Sequence, residues 1–151
     1  MANERSPSLF ALTDDIALRS GDLIVLLARL AMGWLFLSTS WTGLTNVSGA
    51  AGYLAGLGVP APGVMVWLVL LGELAIGIGL MFGIATRYVA LFTFVFLIMT
   101  IVLGHRYWTY PPAQQANQYA HFLKNLALMG GALMLFWSGA RRYSVDARMG
   151  R

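Results

Sequence analysis

Five residues carry the chemistry available to this sequence. Arg29, Glu73, His121, Lys124 and Asn125 stand inside otherwise apolar stretches. A charge near the centre of a hydrocarbon core costs roughly 2.5–3.5 kcal/mol on insertion scales, so such groups turn towards one another and away from lipid. Arg, Lys and Asn donate hydrogen bonds, while Glu and His exchange protons. Donors beside proton-exchanging groups suit a quinone head group, whose carbonyls accept hydrogen bonds and whose reduction consumes protons. The same five residues would equally compose a buried ion-pair network that fixes helix register without chemistry. The sequence by itself leaves both readings open.

Other chemistries lack their residues. There is no cysteine, hence no disulfide, thiolate zinc site, iron–sulfur ligation or cysteine nucleophile. No phosphate-binding loop and no Ser–His–Asp arrangement is present. A haem is disfavoured, because His121 alone lies within an apolar stretch and His105 stands near the end of another. Six of the eight methionines are spread through the apolar stretches as filler. No metal site is expected.

The elements that hold these groups follow from composition. Of 151 residues 58% are hydrophobic and 11% charged, against ~25% charged in an ordinary soluble domain. Disorder goes with the opposite composition. Four apolar stretches, residues 23–44, 64–82, 88–104 and 119–139, approach or reach the ~20 helical residues needed to cross a bilayer. Pro60 and Pro62, Gly83, Pro111 with Pro112, and Gly139 punctuate them. None alternates apolar and polar residues as a barrel strand does. The expected fold is all-α, an integral membrane four-helix bundle. A short interfacial helix over residues 50–57 is expected in the first outer connection, ended by Gly58.

Helix rise places the polar groups in depth. Arg29 lies ~9 Å in from one side and Lys124 ~8 Å in from the other, with Glu73 near the middle of its helix. An interior Arg–Glu–Lys system is therefore expected. His121, Lys124 and Asn125, spaced three and four apart, share a helix face.

The basic residues set the orientation. Arg5, Arg19, Arg87, Arg141, Arg142, Arg148 and Arg151 fall on one side and Arg106 on the other, so both termini are expected in the cytoplasm. The formal charge of +4 is then mainly a topology mark plus attraction to lipid head groups, not a nucleic-acid footprint. Residues 1–22 read as a cytoplasmic N-terminal segment, residues 23–140 as the four-helix domain and residues 141–151 as a basic cytoplasmic tail. Leu9, Phe10, Leu12, Ile16 and Leu18 fit a short surface helix as well as they fit a polar tail.

The fourth stretch carries a resemblance. His121-Phe122-Leu123-Lys124-Asn125-Leu126-Ala127, then Gly130-Gly131-Ala132-Leu133, then Gly139, Arg142 and Tyr143-Ser144-Val145-Asp146 resemble the end of the DoxX family of small bacterial membrane proteins. Arg29 with Gly33, Gly58-x-Pro60, and Glu73 with Gly79, Gly83 and Thr86-Arg87 are similar to earlier family positions. The family's usual Gly followed by Lys at the end of the first helix is only half present, because residues 40–46 offer Gly43 and no lysine. The resemblance implies a four-helix subunit of the bacterial inner membrane, linked to thiosulfate:quinone oxidoreductase and to partner redox-enzyme subunits. The functional expectation is a redox-associated membrane subunit that handles quinone through an interior pocket of Arg29, Glu73, His121, Lys124 and Asn125. The alternative is a non-catalytic accessory subunit of a larger membrane complex. Unbroken short helices leave little room for a transporter's alternating access.

Overall fold

The computed structural model describes residues 9–150; Arg5 and Arg151, both used in the charge count, lie outside the described residues. The described chain is all-helical. It runs α1 (Leu9–Arg19), α2 (Gly21–Thr45), α3 (Val47–Gly56), α4 (Pro62–Phe82), α5 (Thr86–Gly104), a 3-10 turn (Tyr107–Thr109), α6 (Pro112–Ser138) and α7 (Val145–Arg148).

Three helical segments, Gly21–Thr45, Pro62–Phe82 and Thr86–Thr109, are long and apolar enough to cross a membrane. The fourth long helix, α6, has 27 residues, about 40 Å at ~1.5 Å each, but it opens on polar turns. It begins at Pro112, seven residues before the apolar stretch, because Gln114, Gln115, Asn117 and Gln118 continue the helix without hydrophobicity. Proline suits that first position, where its missing N–H has no helical partner to lose. In the first connection α3 starts at Val47, three residues before the expected helix, where the Asn46 side chain accepts the Gly49 amide at 3.0 Å.

The long helices pair as α2 with α4 and α5 with α6, and lighter contacts of α4 with α5 and of α2 with α6 close the ring. The α2–α4 seam is a close backbone approach: a Cβ on Gly33 would stand 2.6 Å from Met81 Cγ and 3.0 Å from the Gly77 carbonyl. Small residues give helices in lipid this proximity, where no hydrophobic drive joins them. Ser40 Oγ crosses the seam to the Leu70 carbonyl at 2.9 Å. Met32, Phe36, Ile76, Leu80, Ala90, Leu97, Ala132 and Leu135 form the core. Outside it, large apolar side chains such as Trp34, Trp41, Trp67, Leu68, Phe92 and Leu133 are exposed, the pattern of a surface facing lipid rather than water.

The helices place α7 and the α4–α5 turn at one end, the terminal end. The 45–62 and 105–111 connections lie at the other, the far end.

Candidate functional site

Inward faces aim the polar groups at the far end. Glu73 stands on the α4 face that carries buried Val66, Leu70, Ile76, Gly77 and Leu80, at three-, four- and seven-residue spacings. Asn125 shares the α6 face of buried Ala132 and lies one turn after His121. Lys124, one residue round the helix, is exposed at the margin of that face.

These groups surround a cavity of about 440 Å³, lined by Thr39 of α2, Glu73 of α4, Thr100 of α5, His105, and Gln118, His121, Lys124 and Asn125 of α6. Buried Asn125 donates from Nδ2 to Thr100 Oγ1 at 3.1 Å. The His105 and His121 rings stack with centroids 4.9 Å apart and planes 12° from parallel. Gln118 Oε1, which can only accept, lies 2.8 Å from His105 Nδ1 and thereby assigns that nitrogen its proton. Lys124 Nζ lies 3.3 Å from His121 Nδ1. An ammonium has donors only, so Nδ1 accepts and the proton of a neutral ring sits on Nε2. Glu73 faces Thr39 and feels the Lys124 charge across the cavity. The single ion pair within 4 Å among the described residues is Arg19–Asp15 on α1.

A second cavity of about 320 Å³ adjoins the first and shares Thr39, Tyr53, Glu73, Phe96, Thr100 and His105 with it. Its remaining wall is apolar, including Leu54 and Leu57 of α3, Val66 and Leu70 of α4, and Met99 and Leu103 of α5. At the junction Tyr110 donates to the Gly104 carbonyl at 2.8 Å and Tyr53 approaches the same oxygen at 3.5 Å. Burial, then the Tyr110 charge and hydrogen bond, push the Tyr53 phenol up to about 12. It therefore stays a proton-bearing donor at any physiological pH.

Arg29 stands apart from this site. It is fully buried at the terminal end, where Nη1 donates to the Leu80 carbonyl at 3.3 Å and Nη2 to the Tyr143 carbonyl. Leu80 lies seven residues, about 10 Å, along α4 from Glu73. The Asp146 charge acts on the guanidinium, and its two carboxylate oxygens accept the Ala85 and Thr86 amides at 2.7 and 2.8 Å. The structure thus brings Glu73, His121, Lys124 and Asn125 together and assigns Arg29 to a different polar cluster. Thr39, Thr100, His105, Gln118 and Tyr53 complete the cavity wall and were not picked out by sequence reasoning as site residues. His105 carried a signal, since a histidine closing α5 and another early in the antiparallel α6 fall at matching heights.

The DoxX family model matches residues 24–106, from α2 to just past α5. The chain is 38% identical over 125 residues to the inner membrane protein YqjF of Escherichia coli (strain K12), covering 83% of this chain and 91% of that protein. It belongs to the DoxX family. The inner membrane protein YphA of the same organism is 27% identical over 126 residues, covering 83% of this chain and 90% of YphA. No solved structure matches. The DoxX match contains Arg29, Glu73 and His105, whereas the α6 motif lies beyond it. The inner-membrane relatives and three apolar helices agree on a bacterial inner membrane protein.

Proposed function

We propose that this DoxX protein is a four-span, redox-associated subunit of the inner membrane that takes up a quinone in its far-end cavity. The observation that carries the reading is the joining of a polar chamber of about 440 Å³ to an apolar one of about 320 Å³ through shared walls. Both volumes fall within the ~300–1,000 Å³ of small-molecule sites. A quinone needs that combination: donors for its carbonyls, and an apolar path for its isoprenoid chain.

The residues fit the group chemically. Lys124 and Asn125 are donors beside the chamber, His121 and Glu73 exchange protons there, and Tyr53 remains a donor at the junction. When bound, a quinone supplies two-electron, two-proton carrier chemistry. The chain's own part is to orient the carbonyls and to hold protons on the His121 ring and the Glu73 carboxyl. With no cysteine in the chain, any thiol chemistry belongs to a partner subunit.

Binding of a short-chain ubiquinone to the purified protein tests this. Lys124→Met and His121→Phe should each weaken binding about tenfold, the worth of a charged or polar contact, at unchanged yield of folded protein. Unchanged affinity in both would end the quinone reading and favour the accessory-subunit alternative.

The same reading takes α6 as the fourth span and sets both termini in the cytoplasm, supported by the Arg distribution. Reporter fusions at the C-terminus and within α3 should report opposite sides; the same side would overturn it.

A further inference from the structure

We propose that the groove between the first turn of α5 and the end of α6 binds the phosphate of an anionic phospholipid. The groove is a cavity of about 300 Å³ whose lining includes Thr86, Arg87, Tyr88, Ser138, Arg141 and Asp146. It lies at the terminal end, remote from the quinone chamber and independent of it.

Its charge balance is positive. Asp146 is the one acidic residue in its lining, but both carboxylate oxygens already hold the Ala85 and Thr86 amides, and its charge is set against buried Arg29. Two guanidinium groups remain. Arg87 spends Nη1 on the Phe136 and Trp137 carbonyls at 2.7 and 3.1 Å, which leaves its other nitrogens turned towards Gly139. The Arg141 guanidinium makes no hydrogen bond or ion pair among the described residues. Arginine's planar fork matches a phosphate edge in two-point contact.

Two independent observations set this groove apart from a merely basic surface. Thr86, which shares the groove's lining with both arginines, is 1% exposed, and its buried hydroxyl has no partner. Arg141 also holds a φ of 59°, a left-handed backbone that costs an ordinary side chain ~1 kcal/mol or more.

The lipid source follows from position. Tyr88, next to Arg87 in the chain, and Trp137, whose carbonyl Arg87 reaches, are 79% and 70% exposed, and such aromatics sit where hydrocarbon meets head groups. A phosphate bound between the arginines would leave acyl chains beside these rings.

Native mass spectrometry of the full chain with phosphatidylglycerol and phosphatidylcholine tests the assignment. The wild-type protein should retain phosphatidylglycerol selectively. Arg141→Gln should lower that retention about fivefold or more, the worth of one arginine at a lipid surface. Arg141→Gly should do the same while folding at least as well, since glycine relieves the positive φ. Arg106→Gln, at the far end, should leave retention unchanged. The proposal falls if Arg141→Gly retains the lipid like wild type, or if Arg106→Gln loses it equally. It also falls if millimolar inorganic phosphate displaces the lipid, because the groove would then read a free anion. Retained phosphatidylglycerol in both Arg141 variants would leave the arginines to an acidic segment of a partner protein.

Discussion

The two ends of the bundle use similar charges for opposite purposes. At the terminal end, buried Arg29 and Asp146 are packed among backbone groups: the guanidinium donates to the Leu80 and Tyr143 carbonyls, and the carboxylate accepts the Ala85 and Thr86 amides where α5 begins. At the far end, Lys124 and Glu73 face a cavity, with the lysine exposed and no ion pair within 4 Å between them. The first pair ties α2, the α4–α5 turn and the C-terminal segment into one clasp. The second spends only part of its hydrogen-bonding capacity, on His121 and Thr39. Buried charge satisfied by backbone belongs to architecture; charge held at a cavity is available to a ligand.

The largest effect should come from breaking the clasp. Asp146→Ala removes the acceptor for the Ala85 and Thr86 amides and leaves Arg29 buried without its counter-charge. Two backbone hydrogen bonds to a carboxylate, worth ~1.5–3 kcal/mol each, are lost together, and the longer-range attraction of Asp146 for Arg29, beyond 4 Å, goes with them. Thermal unfolding in detergent should show this protein far below wild type. A melting curve close to wild type would mean that the clasp is not structural.

This cluster shows where sequence reading reaches and where it stops. Hydrophobic runs located α2, α4 and α5 to within two residues at each end, because lipid demands continuous apolar helix. The start of α6 escaped, since its first turns are polar and a helix in contact with the 3-10 turn needs no apolar run there. Glu73, His121, Lys124 and Asn125 were legible because a polar residue in an apolar stretch seeks polar company rather than lipid, even where, as for Lys124, it stays exposed at the cavity margin. The shared face of His121, Lys124 and Asn125 follows from helix spacing, whereas Glu73 of α4 joins them through the packing of the bundle. Arg29 obeys the same rule, but its partners Tyr143 and Asp146 lie at the other end of the chain, and depth arithmetic cannot tell which way a long side chain turns. Tyr53 depends on how α3 folds back over the bundle, which no periodicity encodes.

A middle-sized effect should separate the clasp's geometry from its charge. Gly83 ends α4 at φ 64°, and a Cβ there would strike the Arg29 guanidinium and approach Ser144 Cβ at 2.5 Å. Gly83→Ala therefore combines left-handed strain with displacement of the buried cation, on the order of 2 kcal/mol together. It should lower the unfolding temperature less than Asp146→Ala does, and leave the proposed quinone binding at the far end unaffected in the protein that remains folded. Loss of binding without loss of stability would show the two ends to be coupled.

The smallest stability change should come from the far-end carboxylate, and it discriminates most sharply between the two regions. If Glu73 were the centre of a register-fixing ion network, Glu73→Gln would cost nearly as much as cutting the clasp. The geometry argues against that cost. Glu73 is only half buried, its cation is exposed and beyond 4 Å, and glutamine keeps both the size and a hydrogen-bonding group beside Thr39. Weakly coupled charges contribute about 0–1 kcal/mol. Glu73→Gln should thus melt within about 1 kcal/mol of wild type, while quinone affinity, or its dependence on proton supply, changes clearly. Melting and ligand titration on the same preparation separate the cases. A protein destabilised like the Asp146 variant would make both ends structural. A protein unchanged in stability and altered in binding would assign the far end to function, because a charge that contributes little to the fold yet sits inside a membrane has its insertion cost to offset by some other means, and ligand chemistry is the one its surroundings provide.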